Sequence, residues 1–166
     1  MLTFLARRRV TIGFVAGVAA LWLARPTPRT LAVGALIAIA GELVRIWAAG
    51  HLEKAREVTL SGPYRFTRHP LYAGSTIIGI GLAIASARVV VAALVLGYLA
   101  ITLVAAIASE EAHLTAKFGD AYPAYREGRH AGSGRRFSLA RAMRNREYRA
   151  VIGLAATLAL LSWKVL

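Results

Sequence analysis

Residues 62–74 read Gly-Pro-Tyr-Arg-Phe-Thr-Arg-His-Pro-Leu-Tyr-Ala-Gly, and Glu110-Glu111 closes a later apolar run. Both clusters have the residue types of a site. Proline at a first helical position costs no hydrogen bond, so Pro70 is expected to open a helix, with His69 pushed toward an extended conformation. The amides of Leu71, Tyr72 and Ala73 would then be free beside Arg65 and Arg68, a place suited to a carboxylate or phosphate. Adjacent acids on a helix diverge by about 100°. One of Glu110 and Glu111 can therefore face a partner helix, and the other a cavity edge. An acid here could pair with Arg68 or accept hydrogen bonds from a ligand's ammonium. Phe118-Gly119-x-x-Tyr122-x-x-Tyr125 offers aromatic faces that suit a cation. The plainer alternative makes Arg68 and His69 interfacial anchors, with Tyr64 and Tyr72 as belt aromatics.

Other chemistries find no support. There is no cysteine, which removes thiolate metal sites, disulfides and a cysteine nucleophile. Glu110-x-x-His113 has the spacing of half a carboxylate-bridged di-iron motif, but no second such pair exists, and no metal is expected. His51, His69, His113 and His130 are too scattered for a histidine-box oxidase. Neither a Gly-x-Gly-x-x-Gly fingerprint nor a P-loop is present. Ser61, Ser75 and Ser109 lack the partners of a hydrolase triad at motif spacing.

The elements that must hold these residues are apolar helices. The chain of 166 residues is 57% hydrophobic, above the roughly 45–50% of ordinary soluble domains. Apolar runs cover 10–24, 30–49, 71–87, 89–108 and 150–166. Spanning takes about 20 residues; the second and fourth runs meet that, and the others are short. The expected fold is all-α: one domain over 1–166, a polytopic membrane bundle of about five helices, with 50–69 and 109–149 as cytoplasmic segments. Arg25-Pro26-Thr27-Pro28-Arg29 turns the first hairpin, and Ser86-Ala87-Arg88 the second. Gly79-x-x-x-Ala83 and Gly81-x-x-x-Ala85 are small faces for close helix packing. Residues 128–138 read as a flexible loop, and 141–149 as a basic amphipathic approach resting on the membrane surface.

Charge sets the orientation. The net charge is +13, yet with the N-terminus in the cytoplasm only Arg25, Arg29, Arg88 and Lys164 of the 21 basic residues fall outside. That is the positive-inside pattern, with attraction to anionic lipid headgroups. Nucleic acid is not an expected partner. Arg7-Arg8-Arg9 before an apolar run could open a signal peptide, but no small-x-small site follows and Arg25-Pro26 ends the run, so a retained helix is expected. Arginine far outnumbers lysine, which points to a bacterial inner membrane.

Together, Gly62-Pro63-Tyr64-Arg65, Arg68-His69-Pro70-x-Tyr72-x-Gly74, Glu110-Glu111 and Phe118-Gly119-x-x-Tyr122-x-x-Tyr125 resemble the isoprenylcysteine carboxyl methyltransferase family and the related phospholipid N-methyltransferases. The resemblance covers roughly 43–126. It implies an S-adenosylmethionine-dependent membrane methyltransferase with a cytoplasmic cofactor pocket and a lipophilic or lipid-like acceptor, methylated on a carboxylate or an amine. Carried over by position, Arg68, His69, Pro70, Leu71, Tyr72 and Gly74 would line the cofactor pocket. Glu110 and Glu111 would close it, and Tyr122 and Tyr125 would belong to its cover. Glu110, Glu111 and Arg68 are the catalytic candidates. Some carboxyl methyltransferases carry an arginine shortly before the acid pair; residues 105–109 contain none, which points away from a prenylcysteine carboxylate. Competing readings are an NADPH-dependent lipid reductase of the same superfamily and a non-catalytic ligand-binding bundle.

Overall fold

The computed structural model describes residues 2–54, 56–127 and 134–166. Seven α-helices and no strand occur among them: α1 Leu2–Leu23, α2 Pro28–Ala49, α3 Pro70–Ala85, α4 Val89–Phe118, α5 Ala121–Arg126, α6 Leu139–Arg144 and α7 Tyr148–Trp163, with a 3-10 turn at Gly62–Arg65. Of the loop expected over 128–138, residues 128–133, including Arg129 and His130, lie outside the described residues.

Two of these helices, α2 and α4, are long and apolar enough to cross a membrane; α3, α7 and the Gly13–Leu23 part of α1 are shorter apolar helices. Large apolar side chains point outward along the bundle, among them Trp22, Leu36, Ile101 and Val104. Such continuous apolar exposure is the inverse of a surface built for water. The structure lengthens α4 well beyond the apolar run 89–108, to 30 residues. Its last turns, Ala-Ser-Glu-Glu-Ala-His-Leu-Thr-Ala-Lys-Phe, keep enough good helix formers to continue without an apolar face.

The bundle is built on the α2–α3 pair, whose contact is a seam of glycines. Gly34 and Gly41 on α2 meet Gly81 and Gly74 on the antiparallel α3. A Cβ on Gly41 would lie 2.8 Å from the Gly74 carbonyl oxygen, and one on Gly74 would lie 2.8 Å from that of Gly41. The seven-residue spacing within each helix keeps both glycines on one face over two turns. Close backbone approach supplies dispersion contacts where apolar surroundings give helices no other reason to associate. Of the two expected small faces, Gly81 and Ala85 therefore meet α2. Gly79 turns the other way, and its face is covered by Leu99 of α4.

Both hairpin turns form as read. Thr27 and Thr30 make a reciprocal capping box, with Pro28 at the start of α2. Ala87 takes a positive φ of 52° in the second turn, where the Ser86 hydroxyl donates to the Ala83 carbonyl at 2.7 Å. Lys164 closes the same end of the bundle by donating to the carbonyls of Leu21 (2.7 Å), Trp22 (3.0 Å) and Ala24 (2.7 Å) at the C-terminus of α1.

The arginine-rich segment before α7 makes contacts that the sequence reading did not anticipate. It docks on the end of α2, whose last carbonyls lack helical partners. Arg141 donates to the Gly50 carbonyl and, through Nε, to Glu53 at 2.8 Å. Asn145 Nδ2 reaches the carbonyls of Ala49 and Leu52, each at 2.9 Å. Glu147, at the start of α7, accepts from Arg45 Nε at 2.7 Å. Arg141 and Asn145 thus cap α2, and Glu147 ties α7 to it.

Candidate active site

Site-bearing residues come from four places: the loop after α2, the start of α3, the end of α4, and α5. The loop is shaped by Gly62, whose φ of +58° suits glycine alone and whose missing Cβ leaves room for the His51 ring. His51 Nδ1 and the Ser61 hydroxyl are 3.0 Å apart, both buried. Burial, with Arg141 and Arg135 nearby, pushes the His51 imidazole below its usual range. The 3-10 turn that follows presents Tyr64, which is 8% exposed. Tyr125 of α5 locks it there, its hydroxyl donating to the Tyr64 carbonyl at 2.7 Å. Burial pushes the Tyr64 phenol well up, with the Glu110 carboxylate adding to it, and raises that of Tyr125 to about 12.

Pro70 opens α3, fully buried, with His69 in the preceding cap position. Only part of the expected free helix terminus exists. The amides of Tyr72 and Ala73 both donate to the His69 carbonyl, at 3.1 and 3.0 Å, which leaves that of Leu71. His69 stacks on Tyr72, with ring centres 5.7 Å apart.

The two halves of the signature meet at one oxygen. Glu111 Oε1 accepts from Arg68 Nη1 at 2.8 Å and from His69 Nε2 at 3.0 Å. A carboxylate only accepts, so His69 carries its proton on Nε2 in this contact. Glu110 points elsewhere, into a cavity of about 440 Å³, and makes no hydrogen bond or ion pair among the described residues. That volume lies within the roughly 300–1,000 Å³ of small-molecule sites.

Arg68, His69, Pro70, Leu71, Tyr72, Glu110, Tyr122 and Tyr125 all line this cavity. Glu111 stands behind Arg68 and His69 as their common acceptor. Gly74 is not at the cavity; it faces α2, where the Arg45 side chain and the Gly41 carbonyl would meet any Cβ. Arg65, expected beside Arg68, is exposed and does not line it either. Tyr122 is 2% exposed, and burial, then the neighbouring Glu111 carboxylate, push its phenol up.

Sequence reading missed part of the wall. Ala106, Glu110, His113 and Lys117 form one stripe on α4, at successive steps of four, three and four residues. That helical spacing was the available signal. Glu53, Lys54, Glu57, Val58 and Thr59 supply the opposite wall. Glu53 is held there by Arg141, whose hydrogen bond keeps its carboxyl below the usual range despite some desolvation. No sequence pattern announces that loop, because the arginines that hold it, Arg141 on Glu53 and Arg135 on Glu57, are distant in the chain.

The cavity thus offers a guanidinium and an imidazole on one side, an unengaged carboxylate on α4, and several phenol rings. Such a set can hold a zwitterion with an aromatic group attached. A family model described as phospholipid methyltransferase matches residues 30–121, more than half of the chain. No curated protein and no solved structure gives a significant match.

Proposed function

This chain belongs to the phospholipid methyltransferase family, and on that premise we propose that it moves a methyl group from S-adenosylmethionine to a lipophilic or lipid-like acceptor at a membrane face. The observation that carries this reading is the contact of Glu111 with Arg68 and His69, which joins two distant motif halves beside one cavity.

S-adenosylmethionine would supply a methyl group on a sulfonium. The donor set fits it. Glu110 is available to the amino-acid ammonium, and Arg68 with the Leu71 amide suits the carboxylate. Tyr64, Tyr72 and Tyr122 can cover the nucleoside and the sulfonium cation. Glu111 holds Arg68 and His69 in place, with Tyr125 and α5 as the cover that excludes water. Methyl transfer needs an in-line approach and no covalent enzyme intermediate, so positioning carries the catalysis and can supply up to about 7–11 kcal/mol. A carboxylate acceptor needs no base. An amine must first lose a proton, for which Glu110, Glu111 and His69 are the candidates.

In this reading residues 1–166 form one domain with five membrane helices, and the N-terminus and the cavity are cytoplasmic, in a bacterial inner membrane. About 20 residues of α4 suffice to cross, so its last third stands clear of the lipid and carries Glu110, His113 and Lys117 into the cytosol. The acceptor reaches the cavity laterally from the inner leaflet.

Calorimetry on purified protein with S-adenosylhomocysteine and, separately, NADPH tests the reading. Binding of the former alone is expected. Binding of NADPH instead would transfer the site to a reductase, and binding of neither would leave a structural bundle.

A further inference from the structure

A second cavity, about 390 Å³, lies among α1, α2, α3, α4 and α7 and shares no lining residue with the first. Its wall is mainly apolar, with Ile78, Leu82, Leu94 and Leu99, and it is widened by glycines on α1 and α7. Glu42 faces into it. The Glu42 side chain is 7% exposed, and neither carboxyl oxygen has a hydrogen-bond partner among the described residues.

Among the described residues that line the cavity, Arg45 is the one cation. The cation beside Glu42 is Arg45, with Nε 3.7 Å from Oε2. That same Nε donates to Glu147 Oε1 at 2.7 Å, and Nη1 is turned toward the Ser75 hydroxyl and the Leu71 carbonyl. One guanidinium therefore stands beside two carboxyl groups, and the hydrogen bonds it makes among the described residues go to Glu147, Ser75 and Leu71 rather than to Glu42. A buried carboxyl group left without a donor is costly, and one inside an apolar helix marks a functional site by default. Glu42 lies seven residues before the end of α2, about 10 Å along the helix at 1.5 Å per residue.

The missing component is a cation that brings its own N–H donors and an apolar body. A phosphate or carboxylate would face Glu42 itself. A hard metal ion wants six or more oxygens, and no group of three acidic or histidine side chains gathers among the described residues. We propose that this second cavity binds an amphipathic amine, its ammonium donating to Glu42 and its apolar part lying against Ile78, Leu82, Leu94 and Leu99. The inference goes beyond the methyl-transfer reading and does not depend on it, because it concerns binding at a different cavity.

The test uses the full chain purified in detergent, with octylamine as probe and octanol and octanoate as neutral and anionic controls of equal tail length. Octylamine is expected to bind tightest. Glu42→Gln should weaken it by about tenfold or more, the loss of one charge-assisted hydrogen bond, with S-adenosylhomocysteine affinity unchanged. Gly153→Leu is the second variant. An added Cβ there meets nothing within 4 Å, so the side chain fills the cavity without straining the backbone and should also abolish octylamine binding. The proposal is overturned if octanol or octanoate binds as tightly as octylamine, or if Glu42→Gln leaves octylamine affinity intact. Should Glu42→Gln fail to fold, undiminished octylamine binding by Gly153→Leu overturns it equally. Loss of S-adenosylhomocysteine binding by the wild type would instead count against the methyltransferase reading alone.

Discussion

Glu111 Oε1 sits between Arg68 Nη1 at 2.8 Å and His69 Nε2 at 3.0 Å, so a single carboxylate oxygen on α4 holds the cap of α3. The carboxylate is 26% exposed and Arg68 41% exposed. Ion pairs at that exposure contribute only about 0–1 kcal/mol to stability. What the contact fixes is the direction of two side chains at the cavity wall.

Glu111→Gln keeps the shape and an accepting oxygen but removes the negative charge that Arg68 and His69 share. S-adenosylhomocysteine affinity should fall by about tenfold or more, while the thermal midpoint in detergent barely moves. Calorimetry beside a melting curve checks both. A variant with wild-type affinity would remove Glu111 from the site.

Tyr125→Phe deletes the hydroxyl that donates to the Tyr64 carbonyl at 2.7 Å. A loss of about 1–3 kcal/mol is expected, since the carbonyl it leaves is buried. Amide exchange should quicken over residues 62–68, and KM for the cofactor should rise more than kcat falls. Unchanged exchange there would show that α5 does not hold the turn.

Gly74→Ala places a methyl 2.8 Å from the Gly41 carbonyl oxygen and against the Arg45 side chain, so α2 and α3 must part. Overpacking of this kind costs about 1–3 kcal/mol. Gly17→Ala, where an added Cβ meets nothing within 4 Å, should be neutral or stabilising by up to about 1 kcal/mol through helix propensity. Thermal unfolding of the pair decides. Equal effects would mean that the glycine seam is not a tight contact.

His51 favours its neutral form in the fold, since burial and two arginines push its pKa below the ordinary 6.5. The unfolded chain binds the proton more readily. Stability is therefore fully present above about pH 6.5 and declines as the pH falls toward the lowered folded value. Glu53, whose carboxyl Arg141 holds below 4.5, adds a second loss at more acidic pH. Midpoints measured from pH 7.5 to 5 should fall only below about 6.5, and His51→Gln should flatten that fall. An identical pH dependence in the wild type and His51→Gln would contradict the assignment.

Much of this was open to reading because it depends on neighbours in the chain. Pro70 at a helix start, the capping residues at Thr27 and Thr30, the turn at Ala87, and the divergence of Glu110 from Glu111 follow from local backbone geometry. The pairing of Arg68 with an acid was also legible as one of two alternatives, since the two clusters flank the same helical hairpin. By contrast, the loop 52–59 is tied at the cavity by Arg141 and Arg135, which hold Glu53 and Glu57, and no local pattern contains those contacts.

Residue types and their spacing thus sufficed to read the chain as helical and apolar, and to single out the two motifs that meet at Glu111 Oε1, because both are properties of a few consecutive residues. Tertiary structure alone decided the rest. Gly74 turned out to serve the α2 seam and not the cavity, because the close approach of two helices leaves no room for any side chain there. The arginine-rich segment became the cap of α2 because the orphaned carbonyls of a helix end need donors that are distant in sequence. The placing of Arg45 between Glu42 and Glu147 emerged only when α7 was brought against α2.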